Sequence, residues 1–209
     1  MEESWVEATC SLSGNAAVAQ EAAADLVARY AEPHRHYHDT AHVLAVLRDS
    51  ALLADALALP PHDRAILTLA ACAHDVHYDG NPGEDERRSA EWAATWLRRA
   101  GVAEADVSEV ERLVLSTIDH IAAPADLTAQ ILFDADLAIL AAPPEHYERY
   151  RQAVRAEYAS ASDEAWRTGR AAVLTDLAAR DPLFHTDPAR KRWEQGAKSN
   201  LAAELATLS

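Results

Sequence analysis

The chain has little lysine, cysteine or glycine, and each scarcity excludes something. Lysine occurs only at Lys191 and Lys198 among 19 basic residues, set against 34 acids for a formal net charge of −15. No basic stripe offers counterion release to a nucleic-acid backbone, and an anionic membrane surface is equally disfavoured. Arginines scattered through an acidic chain suit local recognition of phosphate or carboxylate better. The cysteines are Cys10, near the terminus, and Cys72, inside an apolar run, so no disulfide framework is implied. With 6 glycines, 49% apolar and 25% charged residues, the composition is that of a folded chain. No apolar run approaches the ~20 residues a membrane span needs. The opening Met1-Glu2-Glu3-Ser4-Trp5 is acidic, and no signal-peptide core follows it. The expectation is a cytoplasmic protein with neither nucleic acid nor membrane as partner.

Period-two alternation of β-branched residues is also missing, which argues against strands. Prolines at Pro33, Pro60-Pro61, Pro82, Pro124, Pro143-Pro144, Pro182 and Pro188 fall between segments of helical period, where proline is tolerated. Helices are expected at about 15–31, 39–58, 62–76, 85–100, 104–121, 125–141, 144–159, 162–180 and 188–207. That is an all-α bundle of about eight or nine helices. The 209 residues are read as a single domain, with a core motif region at about 28–141 and carboxyl-terminal helices 144–207 packed onto it.

Polar residues appear where the pattern asks for apolar ones. Ala65 to Ala73 is apolar on nearly every side, which marks a buried helix, yet it ends on His74-Asp75. Burying an imidazole and a carboxylate is costly unless they pair or bind a metal. Tyr37-His38-Asp39-Thr40-Ala41-His42 opens an amphipathic helix with two histidines on one face. Ile131 to Leu140 sets Asp134 and Asp136 in an otherwise apolar decapeptide. Two residues apart on a helix, these acids face different ways, so one would serve the site and the other a cap or a supporting contact. The bland alternatives are a solvated histidine patch at His34, His36, His38 and His42, and a structural His74-Asp75 pair. The 38–42 spacing also fits the zincin H-E-x-x-H, but Asp39 replaces the glutamate base and the other two anomalies go unexplained. Nitrogen and carboxylate oxygen donors together suit Mn, Fe, Zn, Ni or Co. The turn-rich 77–85 stretch beside His74-Asp75 is where a substrate mouth would sit.

The order H…HD…D on helical segments resembles the HD superfamily of metal-dependent phosphohydrolases. The matching segments are Arg35 to His42, Ala73 to Tyr78, Asp85 to Ala90, Asp134 to Leu137, Val154 to Tyr158 and Gly169-Arg170. The resemblance implies His42, His74, Asp75 and Asp136 as ligands of one or two divalent ions, with magnesium as a further candidate. Asp136 is preferred over Asp134 because the superfamily's last motif reads Ala-Asp-Leu. His38 would contact phosphate or protonate the leaving oxygen. Asp75 would accept the water's proton or bridge to a second ion, and Glu86 would orient water. Arg35, Arg155 and Arg170 are candidate phosphate grips, and His120 a candidate substrate or second-metal contact. Asp39 and Asp85 stand where the family often has Asn, and His77 where it is usually apolar. The implied activity is hydrolysis of a phosphate ester or anhydride of a nucleotide-like small molecule by metal-activated water, in a chain that could form a homodimer. Two other readings are an HD-fold diiron oxygenase, for which only His77 and His120 could supply the additional histidines, and a non-catalytic nucleotide sensor.

Overall fold

Helix α4 (Pro61–Ala73) is the axle of the fold, and its sequence says why. Residues Ala65, Ile66, Leu67 and Leu69 to Ala73 are all buried, so beyond its first turn the helix presents almost nothing to water. It packs against α1 (Glu2–Ser11), α3 (Thr40–Ala56), α5 (Glu84–Ala100), α6 (Glu104–Leu115) and α7 (Leu127–Asp136). Fully burying one leucine contributes about 1.5–3 kcal/mol, and Leu67 and Leu69 are both buried here. The computed structural model describes residues 1–208, and its elements among them are all helical.

Ten α-helices are present among the described residues, one or two more than expected, because α1 was not read from the sequence. Its signal is there: Trp5, Ala8 and Leu12 share a face and are buried. Trp5 meets Trp92 of α5 at 5.1 Å between ring centroids. The remaining helices are α2 (Ala16–Tyr30), α8 (Pro144–Glu157), α9 (Asp163–Ala179) and α10 (Asp187–Leu208). One continuous apolar core runs from Trp5 to Leu201. Among the described residues, no single helix is long and apolar enough to cross a membrane.

Helix ends, where the expected boundaries were least accurate, carry the chemistry. The segment expected at 62–76 stops at Ala73, leaving His74 as the C-cap and Asp75 in the turn beyond. The segment expected at 125–141 changes at Asp136 from α7 into the 3-10 helix Leu137–Ala141. The segment expected at 104–121 ends in a 3-10 turn at Ser116–Ile118, after which His120 takes a positive φ of 54°. That left-handed conformation is uncommon for a side chain with a Cβ.

Candidate metal centre

His42 lies in the first turn of α3, held there by its N-cap. The Asp39 carboxylate accepts the N–H groups of Ala41 at 2.7 Å and His42 at 3.2 Å. Asp39 is therefore an aspartate with a cap's task. His74 is fixed from behind, its Nδ1 2.9 Å from the Ala71 carbonyl oxygen. Donation of Nδ1–H to that oxygen leaves the Nε2 lone pair pointing the other way.

The Nε2 atoms of His42 and His74 come within 3.1 Å of each other. Asp75 Oδ2 lies 3.3 Å from the first and 3.1 Å from the second. Asp136 Oδ1 lies 3.2 Å and 3.6 Å from them. Metal bonds of ~2.0–2.2 Å put adjacent donors of one ion roughly 3.0–3.5 Å apart. The observed spacings match. His42, His74 and Asp136 by themselves form a group that could hold a metal ion. That group is a mixed nitrogen and oxygen set of the kind borderline divalent metals take, and Asp75 lies against both of its imidazoles.

The electrostatics point the same way. Burial pulls the His42 and His74 imidazoles down, but Asp75 and Asp136 outweigh it and raise both, His74 well above its ordinary value. Burial in turn pushes the two carboxyls up, yet the surrounding histidines hold both well below the usual range. Two acids kept ionised beside two buried imidazoles favour a positive charge between them, proton or metal.

Asp134, two residues away, serves another purpose. Its side chain is buried and accepts the backbone N–H groups of His185 at 2.7 Å and Thr186 at 2.8 Å, pinning the turn that leads into α10. His120 is drawn to the centre, its Nε2 2.8 Å from Asp136 Oδ2. Glu86 lines the same cavity as His38, His120 and Asp136, a space of about 670 Å³. One of its oxygens accepts the Gly83 N–H at the start of α5, a capping box.

The three arginines expected to bind substrate are all committed to other partners. Arg35 is buried, donating from Nη1 to the His38 and Asp75 carbonyl oxygens, from Nη2 to that of Val76, and from Nε to Glu32. It is a strut tying the 35–38 segment to the His74-Asp75 turn, and it lines neither cavity that includes Asp136. Arg155 donates to the Tyr158 and Ala161 carbonyls and to Asp163, and it lines neither cavity that includes Asp136. Arg170 does line the His38 cavity, but its guanidinium is paired with Glu204 at 2.9 and 3.1 Å. His77 faces Arg29 at 3.3 Å, so only His120 of the two additional histidines reaches the centre.

Glu157, the last residue of α8, was given no role from the sequence. Its Oε1 accepts the N–H groups of His36, Tyr37 and His38 at 2.8, 2.7 and 2.9 Å. Its Oε2 lies 2.7 Å from His38 Nδ1. The His38 ring also stacks on Tyr78, with centroids 3.9 Å apart. Held from two sides, His38 keeps Nε2 as its open nitrogen.

The HD domain family matches residues 39–138. This segment is an HD domain. No curated protein and no solved structure matches the chain. The HD segment opens on the Asp39 cap and closes two residues past Asp136, taking in all four converging donors, Glu86 and His120. It stops short of α8, so the Glu157 clamp on His38 is built from outside the HD segment.

Proposed function

We propose that this HD protein is a metal-dependent phosphohydrolase acting on a phosphorylated small molecule. The observation carrying the proposal is the convergence of His42 Nε2, His74 Nε2 and Asp136 Oδ1 at spacings of 3.1 to 3.6 Å, with Asp75 Oδ2 at 3.1 and 3.3 Å from the two imidazoles. HD domains are in general metal-dependent hydrolases, and the donor set fits a divalent cation. When bound, such a cation supplies Lewis-acid polarisation of a phosphoryl oxygen and makes water more acidic.

The chain's own groups divide the remaining work. Asp75, touching both imidazoles, takes the proton of the attacking water. His38, oriented by Glu157 through Nδ1, presents Nε2 to the leaving oxygen and returns a proton to it. His120 steadies the second oxygen of Asp136. The apolar cavity walls from Leu137, Ile139 and Leu140 limit water around the reacting atoms. The diiron oxygenase reading loses one of the two histidines it requires, because His77 turns away to Arg29.

A screen of phosphate monoesters, diesters and anhydrides against protein supplied with Mn²⁺, Fe²⁺, Co²⁺, Ni²⁺, Zn²⁺ or Mg²⁺ tests the assignment. Release of phosphate or alcohol, abolished in Asp75→Ala with the fold retained, is the expected result. Tight metal binding and nucleotide binding without turnover on any metal would make the protein a sensor instead.

A further inference from the structure

A second cavity, of about 580 Å³, adjoins the centre on its other side. It shares Tyr37, Asp136, Ile139 and Tyr150 with the His38 cavity, so the centre stands between two lobes. The charges in the lobes differ. In the His38 lobe every arginine is engaged: Arg170 by Glu204, and Arg180 by Asp176 and the Asp119 carbonyl. In the second lobe Arg48 and Asp49 satisfy one another at 2.9 and 2.7 Å, Asp39 caps α3, and Asp136 faces the centre. Arg149 of α8 and Arg192 of α10 remain, and among the described residues neither has an acid or carbonyl partner. Arg149 and Arg192 thus leave two guanidinium groups without a partner beside a carboxylate-rich centre, in a chain of net charge −15. The wall between them is apolar, with Leu52, Ala138, Ile139 and Trp193.

We infer that this lobe is an anion subsite in which Arg149 and Arg192 hold a second phosphoryl or equivalent anionic group of an organic substrate. The inference rests on the phosphohydrolase reading for what sits at the centre. It narrows the substrate class: a diester or anhydride with a substituent on each side of the reacting phosphorus uses both lobes, whereas a simple monoester leaves one lobe empty. Guanidinium forks suit phosphoryl oxygens. The apolar wall takes the organic body between the two charges. Both arginines lie outside the HD segment at 39–138, on helices this chain adds to it.

Equilibrium binding tests the subsite independently of turnover. Calorimetric titration of the Mn²⁺-supplied protein would compare ADP and adenosine 3′,5′-bisphosphate with AMP and adenosine. At least one doubly phosphorylated probe should bind more tightly than AMP. In R149A/R192A its affinity should fall about tenfold or more, while AMP and adenosine stay within about threefold. Both arginines are exposed and unpaired, so an unchanged thermal melt is expected of the variant. Equal binding of all four ligands by the wild-type protein, or undiminished binding of the doubly charged probe by the variant, would overturn the inference. Binding as expected without hydrolysis of any substrate would leave the subsite standing and remove the phosphohydrolase reading alone.

Discussion

Glu157 Oε2 lies 2.7 Å from His38 Nδ1 across 119 residues of chain, and the other oxygen of the same carboxylate gathers three consecutive backbone N–H groups. One side chain thus shapes the turn into α3 and orients the ring beside the candidate metal centre.

Burial pushes the Glu157 carboxyl up, but the His38 ring and the N–H groups of Tyr37 and His38 outweigh it and bring it to about 2. Its unfolded value is ~4.3, so the unfolded chain takes up the proton first as pH falls. The stabilisation is complete above that unfolded value and is lost as pH drops towards about 2. Glu157→Gln should therefore be less stable than wild type at pH 6, with the gap narrowing by pH 3 in urea unfolding. A gap independent of pH would mean the carboxylate is not the group held. The same substitution should lower turnover more than it alters metal content.

Arg35 predicts a loss of stability and not a loss of substrate affinity. Arg35→Ala leaves the carbonyl oxygens of His38, Asp75 and Val76 without their donor, a cost of about 2–4 kcal/mol. Arg35→Lys should rescue little, since one ammonium cannot span the same fork. Chemical denaturation of the two variants distinguishes this from a substrate contact, which would raise KM while leaving the midpoint unchanged.

Asp134 and Asp136 should separate cleanly. Asp134→Ala strips the acceptor from two N–H groups, at His185 and the buried Thr186, costing ~1–3 kcal/mol for each buried group left unsatisfied, with metal binding retained by the folded protein. Asp136→Ala should abolish metal binding with a smaller effect on the metal-free melting temperature. Metal content and thermal melts of both variants decide the matter.

The segments that converge were legible in the sequence because a buried polar group stands out in an apolar run: His74-Asp75 closing α4, and Asp136 in Ile131 to Leu140. Spacing told that Asp134 and Asp136 do different things but not which does what; that needed the family motif. Glu157, inside the Val154 to Tyr158 segment that resembles the family, was given no role for the opposite reason. It ends PEHYERYRQAVRAE, a polar helix in which one more acid is no anomaly, and its partners lie 119 to 121 residues away. Arg35 misled because a guanidinium that braces carbonyls and one that grips phosphate are the same residue in a sequence. Helix α1 was missed despite the Trp5, Ala8 and Leu12 stripe, since it is 10 residues long and opens on the polar run Glu2-Glu3-Ser4.

Metal titration across pH, with the ion located by anomalous diffraction, tests the central claim most directly. One ion should lie in contact with His42, His74, Asp75 and Asp136, bound more weakly as pH falls, because the carboxylates raise the proton affinity of both imidazoles and protons must leave as metal enters. An ion seated instead at the exposed His34 and His36, or full metal content in H42A/H74A, would contradict the account.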